Sequence, residues 1–124
     1  MKFNKEQHNN IHFINKINKD PYCIEISGNE YNSSLLIAPD KITPFSWGSN
    51  NPDPIDQLQN LIHLHSSEIL LVGSGTTYQD APKKLQELCK INKIGLEIMS
   101  THYACHTHNI LLHENRKLLT ILIF

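Results

Sequence analysis

Residues Glu68–Asp80 read EILLVGSGTTYQD, and this stretch decides the fold. Ile69, Leu70, Leu71 and Val72 form a continuous apolar run, the pattern of a strand buried on both faces rather than a half-exposed one. Gly73 ends the run, and Gly75 lets the backbone turn tightly before Thr76 and Thr77. Asp80 is placed to cap a helix through Leu85, Leu88 and Cys89. A strand, turn and helix in that order put the loop at the strand's carboxyl end, where open α/β sheets usually bind ligands. The Gly73-Ser74-Gly75 loop is therefore the first place to look for function.

Before this unit the pattern has the two-residue period of strands. Ile11 to Ile17 alternates apolar and polar, Tyr22, Ile24 and Ile26 alternate with Cys23, Glu25 and Ser27, and Gly28-Asn29 turns the chain into Tyr31 to Ala38. An amino-terminal β-meander follows. From Pro39 to Pro54, four prolines, Trp47-Gly48 and Ser49-Asn50-Asn51 argue against regular structure over most of the segment. Asp53-Pro54 with Asp56 marks a helix start, and Ile55, Leu58, Leu61, Ile62 and His65 recur at helical spacing.

After the central unit, a helix from about Ala81 to Asn92 closes at Gly95. Leu96, Ile98 and Met99 make a short strand, and Ser100 or Thr101 caps a third helix to about His113. Lys117 to Phe124 is a nearly continuous apolar strand. Its only polar residue between Leu118 and Ile123 is Thr120, so the strand belongs in the interior of the sheet. Two successive strand-helix-strand units favour a parallel centre, and the amino-terminal hairpins add antiparallel pairs. The fold class is α/β, with a mixed central sheet.

Composition sets the function classes. A chain of 124 residues supports one domain, residues 1–124. Eleven Lys plus Arg against twelve Asp plus Glu give a net charge of -1, with Arg116 the sole arginine. A nucleic-acid binder shows a clustered basic excess, so no nucleic-acid partner is expected. Cys23, Cys89 and Cys105 are an odd number without paired spacing, which suits reduced thiols in a cytoplasmic protein. MKFNKEQHNN has no apolar centre for a secretory signal, and no run approaches the length of a membrane span. The protein is expected to be cytoplasmic and not membrane-inserted.

The motifs that suggest chemistry are each incomplete. Gly73-Ser74-Gly75 lacks the third glycine of a dinucleotide fingerprint and the Lys-Ser/Thr of a P-loop, so no nucleotide cofactor is expected. On the third helix, at about 100° per residue, His102, His106, Asn109 and His113 share one stripe opposite Ala104, Thr107 and Leu111. His102 and His106 have metal-ligand spacing, but no carboxylate inside the helix completes a set, and a solvated face has the same pattern. Cys105 lies in the first turns, where partial positive charge favours a thiolate and His106 or His102 is near in sequence. Adjacent helical residues do not face each other, and a free cysteine is more often a small packing residue.

The Trp47-Gly48 loop, Glu68 to Gly75, and Met99-Ser100-Thr101 leading into Ala104 to Asn109 with Glu114 and Arg116, together resemble one family. It is the small domain of unknown function shared by bacterial and archaeal proteins and by mitochondrial NADH dehydrogenase (complex I) assembly factor 3. The resemblance covers nearly the whole chain. It departs from the family where His106 replaces the usual arginine and His108 the usual tyrosine. It implies a compact three-layer α/β domain with a mixed central sheet and no established catalytic activity, with the mitochondrial relatives acting in complex assembly through protein contacts. By that topology Trp47 closes over the loop after Val72 and the start of the third helix. Trp47, Gly73, Ser74, Gly75, Thr101 and Cys105 are then the candidate ligand or partner pocket, with Asn109, Glu114 and Arg116 structural.

Two function classes follow. The first is a non-catalytic protein-interaction or assembly module whose partner is a respiratory or other membrane-complex subunit. The second is a small-molecule binder or enzyme at the Gly73-Ser74-Gly75 loop and Cys105, and the weight falls against an enzyme. The incomplete loop motif is expected to give no thermal shift with ATP, GTP or NAD at millimolar concentration, with or without magnesium. A ligand at a hundred times its Kd would stabilise by about 2.7 kcal/mol, which is roughly 3 to 6 °C for a domain of this size. A reproducible shift lost on enlarging Gly75 would establish nucleotide binding.

Overall fold

The computed structural model describes residues 12–19, 21–46 and 53–124. Among these, eight strands and three helices follow in the order β1 (Ile14–Asn18), β2 (Cys23–Ile26), β3 (Asn29–Tyr31), β4 (Leu35–Ala38), β5 (Lys41–Pro44), α1 (Ile55–His65), β6 (Ile69–Gly73), α2 (Lys83–Asn92), β7 (Gly95–Met99), α3 (Thr101–His113) and β8 (Leu118–Leu122). The main sheet has the order β5-β4-β8-β6-β7, and β1-β2-β3 form a separate antiparallel sheet. β6 pairs parallel with both β7 and β8, while β8 pairs antiparallel with β4. The fold is thus a mixed-sheet α/β domain.

The apolar run that opened the reading lies where its composition requires. All five residues of β6 and all five of β8 are buried. Alternation along each strand divides the core between the two sheet faces. Leu70, Val72, Leu119 and Ile121 pack with Leu58, Leu61 and Ile62 of α1 and Leu85, Leu88 and Cys89 of α2. Ile69, Leu71, Leu118 and Leu122 pack with Ala104 and Cys105 of α3 and with Ile14, Ile24 and Ile26 of the small sheet. The layers are therefore the pair α1 and α2, the five-stranded sheet, and α3 with the small sheet.

Five local expectations change. The segment from Pro39, expected to be irregular, contributes β5, which pairs from Ala38↔Lys41 to Leu35↔Pro44 across the turn at Pro39-Asp40. A proline is tolerated there because β5 is an edge strand and Pro44 is its last residue. Tyr31 to Ala38 does not continue as one strand. The break at Asn32-Ser33-Ser34 sends β4 to the main sheet, where the Ser34 carbonyl accepts from Phe45 N–H at 3.0 Å and Ser34 Oγ accepts from Phe124 N–H at 3.0 Å.

The ends of α2 also differ. The helix starts after Pro82 without a side-chain cap, and the Asp80 carboxylate accepts instead from Tyr78 Oη at 2.7 Å. It closes at Lys93 in the left-handed region (φ 58°), with Ile94 N–H bonded to the Cys89 carbonyl at 3.0 Å, rather than at Gly95. Gly95 is already needed as the first residue of β7, in register with Ile69. Finally, the turn between β2 and β3 is at Ser27-Gly28, both with positive φ (53° and 84°), the geometry of a two-residue hairpin with the strand twist.

Because β8 lies at the centre of the sheet with partners on both sides, removing Thr120–Phe124 should abolish soluble, cooperative folding. As a milder probe, Leu119→Ala empties a fully buried site and is expected to cost about 2–5 kcal/mol in chemical denaturation. A truncated chain that unfolds cooperatively would contradict this sheet order.

Candidate functional site

Gly73 ends β6 directly beneath the amino terminus of α3. A Cβ added there would lie 3.0 Å from Thr101 Cα, 3.0 Å from Thr101 Oγ1 and 3.1 Å from Ala104 Cβ, so no larger residue fits without moving helix backbone. The close approach lets Thr101, itself fully buried, bind three segments together. Its Oγ1 donates to the Ile123 carbonyl at 2.6 Å and accepts from Gly75 N–H at 2.8 Å, while its N–H donates to the Gly75 carbonyl at 2.8 Å. Ile123 N–H returns to the Gly73 carbonyl at 2.9 Å.

Ser74 is engaged in the same way. Its N–H donates to the Met99 carbonyl at 2.8 Å, and its Oγ lies 2.9 Å from the Thr77 carbonyl and accepts from Gln79 N–H at 3.1 Å. Gly75 adopts φ +106°, which side chains disfavour, with nothing within 4 Å of the position its Cβ would take. The structure thus brings Gly73, Ser74, Gly75 and Thr101 together, with their polar groups engaged within the chain. Trp47 lies outside the described residues.

Cys105 is one turn further along α3 and faces the core with Ala104 and Leu71. Burial pushes its thiol up to about 12, so the thiolate needed for attack on an electrophile is disfavoured. His102 and His106 do meet on the helix, with ring centroids 5.0 Å apart and edge to face. Among the described residues, no group of three or more His, Cys, Asp or Glu is arranged to hold a metal ion.

Further along, the polar residues that hold α3 against the segment leading into the small sheet are His108 and Asn109. Asn109 forms a two-bond pair with one residue of β1, its Oδ1 accepting from Ile14 N–H and its Nδ2 donating to the Ile14 carbonyl, both at 2.8 Å. His108 is fully buried beside it. Its Nε2 lies 3.0 Å from the His12 carbonyl, which only accepts, so Nε2 carries the proton. Nδ1 is then the acceptor, and the Thr120 hydroxyl donates to it at 2.8 Å. Burial lowers the pKa of His108 to about 4, which keeps the ring neutral at pH 7. Sequence reading gave no role to His108. A signal was present in Thr120, the lone polar residue of an otherwise apolar strand, since a buried hydroxyl requires a partner.

At the far end of α3, Asn115 takes the left-handed conformation (φ 60°), and its N–H and that of Arg116 return to the Leu112 and Leu111 carbonyls. Arg116 Nε donates to Glu68 Oε1, joining the turn ahead of β8 to the residue before β6. This pair holds the Glu68 carboxyl below its ordinary range. Glu114, the C-cap residue of α3, acts on Arg116 only through space.

Residues 18–123 match the family described as protein of unknown function (DUF498/DUF598). A 13 kDa major membrane protein of Francisella tularensis subsp. holarctica (strain LVS) is 28% identical over 102 residues, covering 76% of this chain and 77% of that one. Among solved structures, an outer membrane protein from Bartonella henselae superposes with a TM-score of 0.75 at 23% identity, over 90% of this chain and 93% of that one. A Mth938-like domain from Bordetella pertussis superposes with a TM-score of 0.68 at 20% identity, over 99% and 92% of the two chains. These two likenesses are of fold.

His108 makes acid stability testable. A base with its folded pKa below the unfolded value contributes fully above the unfolded pKa, and the contribution is lost as pH falls from about 6.5 to about 4. The full span corresponds to on the order of 3 kcal/mol. Chemical denaturation across this range should show stability falling with pH, and a smaller fall in His108→Gln despite its lower stability at pH 7. Parallel pH curves for the two proteins would remove His108 as the cause.

Proposed function

We propose, from the fact that this chain belongs to the DUF498/DUF598 (Mth938-like) family, which includes mitochondrial complex I assembly factor 3, that it acts as a non-catalytic protein-interaction or assembly module. The observation that carries this reading is the outer stripe of α3. Tyr103 and Ile110 lie seven residues apart, two helical turns on one face, and remain 66% and 57% exposed. His106 lies between them and is also exposed. Large exposed side chains in a row on a rigid helix favour recognition, because an aromatic and an aliphatic anchor are already ordered before binding. The engagement of Thr101 and Ser74 within the chain and the burial of Cys105 also support binding over catalysis at this end of the sheet.

The partner in this reading is a respiratory or other membrane-complex subunit, met from the cytoplasmic side. The membrane protein named in Francisella tularensis supports a membrane-linked role. Among the described residues no helix is long and apolar enough to cross a membrane, which is compatible with attachment through another protein.

A photo-crosslinking amino acid at position 103 or 110, used in the native host, should capture one membrane-complex subunit. The same group in place of Ile91, which is 77% exposed on the opposite layer, should not. Ile110→Glu should suppress capture from position 103 while changing stability by no more than about 0.5 kcal/mol, as expected of an exposed site. Equal capture from both layers, or none from α3, would overturn the reading.

A further inference from the structure

The main sheet ends on one side at β7, whose strand partner among the described residues is β6 alone. Two hydrogen bonds fix which way its backbone faces. Gly95 N–H donates to the Glu68 carbonyl at 2.9 Å, and the Met99 carbonyl accepts from Ser74 N–H at 2.8 Å. The register between the two strands runs from Gly95 to Met99 without a shift, so Gly95, Glu97 and Met99 direct their backbone groups at β6. The N–H and C=O groups of Leu96 and Ile98 therefore point away from the sheet and are open to another strand.

The opposite edge, β5, is blunted by Pro44 at its end and by Lys41. β7 has neither residue type, and it borders a groove of about 550 Å³. Leu96, Glu97 and Ile98 line the groove from the strand, while Tyr78, Asp80 and Gln86 line it from the segment before α2 and from its first turn.

Charge sets the occupant. No Lys, Arg or His lines the groove, whereas Asp80 and Glu97 do, both exposed and neither in an ion pair among the described residues. Tyr78 Oη donates to Asp80, which leaves that carboxylate its charge. A second copy of this chain would bring an equally acidic edge against this one, and like charges opposed across a strand pair are destabilising. A basic segment is favoured instead. Side chains alternate between the faces of a sheet, so an added residue opposite Glu97 shares its face. Residues opposite Leu96 and Ile98 share the apolar face that packs with Leu85 and Leu88 of α2.

We propose that the outer edge of β7 takes up an extended segment of a partner protein as a sixth strand, with Lys or Arg opposite Glu97 and apolar residues opposite Leu96 and Ile98. Main-chain bonds to Leu96 and Ile98 supply the affinity, and the alternate side chains supply the selectivity. The inference goes beyond the interaction reading of α3 and does not require it, since none of the groove residues lies on that helix.

The probe is the acetylated and amidated peptide Val-Lys-Val-Lys-Val, titrated into the isotope-labelled protein and followed by NMR, beside Val-Glu-Val-Glu-Val. Saturable shifts of the Leu96 and Ile98 amides are expected with the lysine peptide, and those two N–H groups, open to hydrogen exchange in the free protein, should become protected. Glu97→Lys, at an exposed site, should leave the unfolding transition unchanged, weaken the lysine peptide about tenfold and admit the glutamate peptide. No saturable shift at Leu96 and Ile98, equal binding of the two peptides, or an unchanged lysine-peptide affinity in Glu97→Lys would each overturn the proposal. So would a dimer of the free protein with both amides already protected, because that outcome assigns the edge to a second copy.

Discussion

The contact of Gly73 with Thr101 is the constraint on which the arrangement depends. A parallel sheet flanked by helices requires each helix to be seated at a defined depth, and here the depth of α3 is set by the absence of one Cβ. Once Thr101 Cα lies against the strand, its hydroxyl reaches both the Gly75 N–H and the Ile123 carbonyl. One buried side chain thereby fixes the exit of β6, the start of α3 and the end of β8. If that hydroxyl were lost, two backbone groups would be left without partners, each costing about 1–3 kcal/mol. The tight loop is explained by packing, and the glycines that suggest an anion cradle in the sequence have a structural cause.

A second set of polar groups acts further along the same helix. His108 and Asn109 are consecutive, so they diverge by about 100° around the axis and reach different backbone groups. His108 joins β8, through Thr120, to His12, while Asn109 joins the helix to Ile14. Both bind the segment that leads into the small sheet. Apolar contact alone is non-directional and would allow that sheet to slide over α3. The directed bonds at Ile14 and His12 give it one position, and Ile14, Ile24 and Ile26 then complete the core on that face.

Much of this fold was legible because burial leaves a periodic record. The apolar runs of β6 and β8, interrupted only at Thr120, specified interior strands, and the helical spacing of Leu58, Leu61 and Ile62 specified the buried face of α1. Edge structure was less legible. β5 is only partly buried and ends in a proline, so its sequence resembles a loop, and only pairing with β4 makes it a strand. The candidate site was legible as an assembly and not as a chemistry. Gly73, Ser74, Gly75 and Thr101 do lie together, but the sequence could not show that their hydrogen bonds close on one another. His108 was concealed for a related reason, since its partners Thr120 and His12 are 12 and 96 residues away.

The two ends of the sheet therefore differ in what they offer a ligand or partner. At the carboxyl end the backbone and side-chain groups of the Gly73–Gly75 turn are matched within the chain, and a new ligand there would have to displace existing bonds before making its own. At the amino end, the left-handed turn at Asn115 brings Arg116 and Lys117 beside Glu68, and His65 Nε2 lies 3.2 Å from Asp40. Affinity depends on the difference between bonds made and bonds broken, so the matched turn at the carboxyl end is a poor ligand site, although the usual topology of α/β sheets points to it. The outer stripe of α3 is separate from both, because Tyr103 and Ile110 face away from the residues that fix the helix. A rigid helix can then present a surface without disturbing the bonds that seat it, which is the physical basis for assigning recognition to its outer face.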